Sequence, residues 1–252
     1  PSFLRRVDLP ERGQAWSDYM SSTRQAMETT AYELLPGDEV TSPSAPTVTL
    51  VDWDPEGEVK AIAAMLYPYT GLAETQVLDR VRAMGMEDRM AVVRAYVGER
   101  SNRRHKPGRA LERTDYRFDV ISDYGAFRDL QRHRLMTIEW QELTPRHGYT
   151  RPLAIDESGL AERFDDAMAT SADLWSDLSE RFPERAAYAV SLAYRIRYVM
   201  QFNAREAMHL IELRTSVQGH PSYRSVGQEM HRLIAEQAGH RAIAEMMTFV
   251  DH

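Results

Sequence analysis

The chain has 252 residues, of which 43% are hydrophobic and 27% charged, with a net charge of −7; this is the composition of an ordinary globular protein with material for one large domain or two small ones. The absence of cysteine excludes disulfides, thiolate metal centres, iron–sulfur clusters and a cysteine nucleophile. No run of about 18 apolar residues occurs and no basic segment leads into an N-terminal hydrophobic core, so a cytoplasmic location without membrane association is expected. The acidic balance argues against nucleic acid as a partner.

Lys60 and Lys106 are the only lysines, so arginine carries nearly all the positive charge. Its planar fork suits carboxylates and phosphates, although genome base composition shifts this ratio as well.

From Glu11 to Leu35, the spacing of Trp16, Tyr19, Met20, Met27, Ala31 and Leu34 predicts an amphipathic helix. Pro36 and Gly37 end it, and the Pro-rich run 36–47 reads as a linker. The expected organisation is therefore a helix over 1–35, a linker over 36–47 and a domain over 48–252. Val48 to Val51 reads as a strand, followed by helices over Pro55–Met65, Glu74–Met84 and Asp88–Val97. A basic loop, Ser101 to Arg109, comes next and reads first as a solvated loop and second as a phosphate site.

Tyr116 to Ile121 alternates like a half-buried strand, Tyr124 to Arg132 follows as a helix, and Glu139 to Tyr149 is a weaker strand interrupted by Pro145 and Gly148. From Asp156 the pattern reads as helical almost to the end. Pro183 is placed to open a helix and Gly219-His220-Pro221 to break the last helical region in two. The fold class expected is α+β, rich in helix.

Two blocks concentrate the chemistry: Arg128-Asp129-Leu-Gln-Arg132-His133-Arg134, and Asn203-Ala-Arg205-Glu206-Ala-Met-His209-Leu-Ile-Glu212-Leu213-Arg214. Helical spacing sets Arg205 one turn from His209, with Asn203 and Arg214 on an adjoining stripe. Guanidinium groups grip oxyanions and an amide or imidazole reads the edge of a planar ring, so this face suits a phosphorylated heteroaromatic ligand. Ion pairs with Glu206, Glu212 and other acids along the helix surface account for the same residues equally well. His220, His231 and His240 lack the separation of a compact metal-ligand pair and read as surface or capping residues. Trp140 reads as a core residue, with stacking on a planar ligand as the second choice, and Met208, Met246 and Met247 read as packing residues.

Together the two blocks resemble the flavin-dependent thymidylate synthase family, whose signature R-H-R-x-x-S-x-N-E-x-S-x-R-Y is followed downstream by a helix with N-x-R and then L-R. The resemblance covers roughly Val48 to Met247 and implies that family's helix-rich fold around a small central antiparallel sheet. It further implies reductive methylation of dUMP, with FAD as hydride carrier, methylenetetrahydrofolate as carbon donor and NADPH as reductant. The active site would lie between subunits of a homo-oligomer, a dimer or tetramer. Arg132, His133 and Arg134 match the triplet that contacts flavin and nucleotide; Asn203, Arg205, His209 and Leu213 fall on the flavin side, and Arg214 matches the activating arginine. Arg128, Asp129, Arg132, Glu142 and Arg214 would line the nucleotide, and no metal is implied.

The departures concentrate on the nucleotide side. After Arg134 the chain has Thr137, Glu139-Trp140, Glu142 and Thr144-Pro145, so a carboxylate stands where the family has serine and the phosphate-gripping arginine is absent. Loss of one charge-assisted contact costs about 1.5–3 kcal/mol. Repulsion from Glu142 in addition would weaken dUMP by more than about a hundredfold. A second phosphate arginine aligns near Ala187, with Arg185 the nearest candidate, and the histidine at the strand entry aligns with Arg113. Arg146, or Arg103, Arg104 and Lys106, could replace the missing ligands by another route. The first expectation is therefore a divergent FAD-binding enzyme with an altered acceptor pocket. The alternative is a catalytically silent structural or regulatory half of a duplicated assembly.

Overall fold

The computed structural model describes residues 9, 11–35, 43 and 45–252. The chain divides into two compact units, Pro1–Thr41 and Ser42–His252. In the first, the predicted helix is α1 (Gln14–Leu34), and none of its residues is buried. Its apolar stripe is open, with Trp16 61% and Met27 62% exposed. Most of the linker expected over 36–47 lies outside the described residues. Thr47, assigned to it from sequence, is the first residue of a strand.

The second unit is built on a four-stranded antiparallel sheet of order β1-β2-β4-β3, with β1 at Thr47–Trp53, β2 at Asp115–Asp123, β3 at Thr137–Trp140 and β4 at Arg195–Asn203. The fold is α+β, helix-rich with a small central antiparallel sheet, as expected. The strand β4 corrects the reading of one helical region after Asp156. Ile196, Tyr198, Met200 and Phe202 alternate inward at 1%, 1%, 0% and 2% exposure, and every residue from Arg195 to Asn203 pairs with β2. Arginine, methionine and glutamine among them satisfy helix propensity, and only the partner strand selects the period of two.

Three helices separate β1 from β2: α2 (Gly57–Leu66), α3 (Glu74–Ala83) and α4 (Met86–Val97). After β2 comes α5 (Tyr124–Leu130), two residues shorter than predicted. The strand expected over Glu139–Tyr149 is reduced to β3, a 3-10 turn at Pro145–His147 and an isolated bridge from Tyr149 to Tyr194. Proline removes a ladder donor there. Beyond them lie α6 (Leu153–Glu157) and α7 (Ala161–Arg181), and Pro183 opens a 3-10 turn, Pro183–Ala189, rather than a helix. The chain then runs through β4 into α8 (Ala204–Arg214), α9 (Pro221–Glu236) and α10 (Arg241–Glu245), with the break at Gly219–Pro221 where predicted.

The core joins one sheet face, carrying Tyr116, Phe118, Tyr198, Met200 and Phe202, to α2, α8, α9 and α10 through Ile62, Leu210, Ile211, Met230 and Ile243. Met208, Met246 and Met247 are buried in it, as expected. His240 corrects its expected surface role. It is 2% exposed, and its Nδ1 lies 2.8 Å from the Tyr116 hydroxyl. His220 does cap, its Nδ1 accepting from the Ser222 amide at 3.3 Å at the start of α9. His231 is partly buried against the Ala244 carbonyl.

Two strand-to-helix junctions aim the functional blocks at each other. β2 passes directly into α5, where the Asp123 carboxylate accepts from the Ala126 amide at 2.8 Å, and β4 passes into α8, where the Asn203 side chain accepts from the Glu206 amide at 3.0 Å. Both are N-caps that satisfy orphan amides of the first turn. Asp115 pairs with Asn203 and Asp123 with Arg195, so the two helices leave opposite ends of neighbouring strands.

Candidate functional site

Those opposed exits bring the segment after α5 against α8. His133, 6% exposed, lies with Nδ1 2.9 Å from Oε1 of buried Glu206. Its Nε2 accepts from Nε of Arg214 at 3.1 Å. An imidazole accepting at Nε2 carries its proton at Nδ1, where the carboxylate receives it. The tautomer is therefore set from both sides.

Arg214, its side chain 12% exposed, also donates from Nη2 to the Asp129 carbonyl and lies 3.5 Å from the Asp129 carboxylate. Its guanidinium sits 5.4 Å from the Tyr223 ring centre. Burial works against its charge and Asp129 supports it; the net direction is downward from the ordinary arginine value. The His209 ring is 5.3 Å from that of His133, and its Nδ1 is buried with no partner among the described residues. Burial, then Lys106, lowers the pKa of His209, so it favours the neutral form.

The sequence-predicted residues divide into three groups. His133, His209, Arg214 and Asp129 converge. Arg132 and Arg134 are exposed on either side of His133, and Arg132 pairs with Asp129 at 3.2 Å. Leu213 is half-buried beside Arg214. Asn203 and Arg205 have structural partners. Asn203 is the cap of α8, and Arg205 donates to the Pro107 carbonyl at 3.2 Å and pairs with Glu112 at 3.3 Å. Arg128 is exposed over the Tyr124 ring, Glu142 is exposed, and Thr144 is buried with its hydroxyl accepting from the Arg146 amide at 3.3 Å.

Ion pairing along the surface of α8 is not what the structure contains. Glu206 faces His133, and Glu212 is 1% exposed and bridges to buried Arg100 through contacts of 2.6 Å to both carboxylate oxygens. Sequence reasoning named both glutamates only as surface partners and did not single out Arg100. A carboxylate three residues after the cap and another at i+6 on a helix with an apolar face were the available signal. Trp140, expected in the core, is 57% exposed and meets Phe127 edge-on at 5.6 Å. It lies on β3, an edge strand whose outer face is uncovered among the described residues. Arg113 is exposed, pairs with Glu74 and lines a polar cleft of about 250 Å³ with Asp52, Trp53, Asp54, Thr114 and Asp115.

His133, Glu206 and His209 place potential ligand atoms within 4.8 Å of one another, a spacing that could hold a metal ion. Charge opposes a cation there. His133 and Glu206 already satisfy each other, and Arg214, Lys106 and Arg103 all act on this cluster. The donor set of guanidinium groups and neutral imidazole fits an anionic, planar ligand better.

Residues 49–239 match the family model described as thymidylate synthase complementing protein. The chain is 36% identical over 253 residues to a UPF0159 protein of Chlamydia muridarum, covering 100% of this chain and 47% of that protein. It is 34% identical over 237 residues to a UPF0159 protein of Chlamydia pneumoniae, covering 94% and 44%. A UPF0159 protein of Thermoplasma acidophilum is 35% identical over 208 residues, with 81% and 41% covered. The chain thus spans less than half the length of these curated relatives. Among solved structures, the fold matches a UMP/dUMP methylase, PolB from Streptomyces cacaoi bound with 5-Br dUMP. The TM-score is 0.60 and the identity 17%, covering 82% of this chain and 97% of that one. No helix among the described residues is long and apolar enough to cross a membrane.

Proposed function

The chain belongs to the thymidylate synthase complementing protein family, and from that premise we propose that it binds FAD and takes part in reductive methylation of a pyrimidine nucleotide, dUMP being the family default. The observation that carries this reading is the convergence of His133 and Arg214, distant in sequence, beside a neutral His209 with a buried unpartnered nitrogen. FAD would supply the hydride chemistry, with methylenetetrahydrofolate as the one-carbon donor and NADPH as the reductant. The domain over 48–252 would work as a cytoplasmic homo-oligomer, a dimer or tetramer, with α1 and the segment after it as a separate N-terminal element.

The chain's own residues would act as follows. Arg132 and Arg134, exposed on either side of His133, grip ligand oxyanions. His209 and Leu213 offer a ring edge and an apolar side to the flavin. Arg214 keeps its proton at any physiological pH and polarises a carbonyl of the acceptor ring, with its geometry held by His133 and Asp129. Arg128, Asp129 and Glu142 border the acceptor. Asn203 and Arg205 contribute by holding α8 and the loop beside it.

The acceptor side is altered. Thr144 directs its hydroxyl to the Arg146 amide and so offers nothing to a phosphate, and exposed Glu142 adds like charge. These two residues favour a second reading, a catalytically silent structural or regulatory half of an assembly. The visible absorption spectrum of the purified protein, before and after FAD addition, decides between them. Flavin uptake that is lost in Arg134→Ala supports the first reading and leads to turnover assays with dUMP and other pyrimidine nucleotides. No uptake at practical concentrations leaves the second.

A further inference from the structure

The loop over 101–107 is a braced element. Arg205, His209 and Glu212 follow one another at four and three residues along α8 and so share a face. At one end of that face Arg205 donates to the Pro107 carbonyl at 3.2 Å. At the other, Glu212 holds Arg100, whose Nε donates to the His105 carbonyl at 2.7 Å and whose Nη2 donates to the Arg103 carbonyl at 3.3 Å. Inside the loop the Arg104 amide donates to the Asn102 side chain at 2.9 Å, and the Asn102 amide group meets His105 at 3.0 Å. A chain pinned at both ends of one helix face passes over what lies between them, which is His209.

The loop brings positive charge to that place. Lys106 and Arg103 both act on His209, and neither has an acidic partner among the described residues. Arg100, Arg109 and Arg205, their neighbours in sequence or space, are all paired with acids. In a chain with 38 acidic and 31 basic residues, a fixed loop with two uncompensated cations over a neutral imidazole points to an anion that arrives from outside.

We infer that Lys106, Arg103 and His209 form a subsite for the phosphate or pyrophosphate group of a nucleotide-type ligand, with the loop 101–107 held in place for that purpose by Arg100 and Arg205. Resting on the flavin reading, the ligand this chemistry fits first is FAD, and the alternative source of the same group is the phosphate of the acceptor nucleotide. Lys106 and Arg103 supply the charge. His209, depressed by burial and by those two cations and opposed by Glu206 on the other side, is the group that senses the anion. A bound phosphate offsets the cations and moves the His209 titration upward, past the contributions of Glu206 and His133.

The test uses the full chain without added ligand, titrated with inorganic pyrophosphate by calorimetry, with the imidazole resonances followed by NMR. Pyrophosphate binding is expected, with an upward shift in the His209 titration. Charge-assisted contacts of this kind predict a loss of roughly 10- to 100-fold in affinity in the Lys106→Gln/Arg103→Gln double variant. Arg104→Gln, a neighbour outside the subsite, should bind as the parent does. No binding at millimolar pyrophosphate, or equal binding by the double variant, overturns the subsite. FAD, riboflavin and dUMP titrations assign the source. Weakening of FAD but not riboflavin in the double variant assigns the subsite to the flavin pyrophosphate, and weakening of dUMP alone assigns it to the acceptor. Pyrophosphate binding without FAD uptake keeps the subsite and removes the flavin reading, whereas FAD uptake without pyrophosphate binding does the reverse.

Discussion

Nε of Arg214 donates to Nε2 of His133 at 3.1 Å, and this one contact orders the candidate site. It makes Nε2 an acceptor, sends the imidazole proton to Nδ1, and so gives buried Glu206 a donor at 2.9 Å. A helix C-terminal arginine, a loop histidine and a helix N-terminal carboxylate are thereby linked in one chain of hydrogen bonds.

Glu206→Ala removes the acceptor for a buried imidazole N–H, and an unsatisfied buried donor costs about 1–3 kcal/mol. Urea denaturation should show that loss. Glu206→Gln, whose amide oxygen can still accept, should recover most of it. An Ala variant as stable as the parent would show that Glu206 does not hold His133.

Arg100 and Glu212 are 2% and 1% exposed in their side chains and joined at 2.6 Å. Removing one partner leaves a buried charge, so Arg100→Met or Glu212→Leu alone should lower unfolding free energy by roughly 3–5 kcal/mol. The double substitution should cost far less than the sum, since no orphan charge remains. Additive losses would contradict a coupled buried pair.

His147, His209, His231 and His240 all have pKa values lowered from 6.5, burial being the largest cause in each. The folded state then binds fewer protons than the unfolded one just below pH 6.5, and stability rises with pH across that window. The contribution is complete above 6.5 and is lost as pH falls through the depressed folded values. The urea midpoint should be lower at pH 6.0 than at pH 7.5, and His240→Gln should reduce the difference. A midpoint that rises on acidification would contradict the burial of these imidazoles.

Arg214→Lys keeps a charge but loses the fork that reaches His133 and the Asp129 carbonyl together. On the flavoprotein reading, FAD uptake should survive while turnover of the accepted pyrimidine nucleotide falls about a hundredfold or more, as for loss of a preorganised electrostatic group. Equal losses in uptake and turnover would make Arg214 a flavin-binding residue instead.

The extent of the legible fold follows from the range of the forces involved. Strands β1 and β2 and helices α2 to α5 and α9 were readable because apolar periodicity, proline and caps act within a few residues. β4 was not, because Arg195, Arg197, Met200 and Gln201 tolerate a helix, and their alternation gains meaning only when β2 lies alongside. Trp140 was misplaced for the same reason, since being on an edge is a property of the sheet and not of the strand.

The sequence by itself determined the chemistry available: two arginine- and histidine-bearing blocks, in the order and spacing of a family, with no thiol and little lysine. Only the tertiary structure decided which of these groups are free. It made Asn203 a cap, Arg205 and Arg100 braces for a loop, Glu206 the partner of His133, and left Lys106 and Arg103 without counter-charges. The physical reason is that side-chain identity fixes what a group can donate or accept, whereas burial and the competing partners supplied by distant segments settle what remains for a ligand.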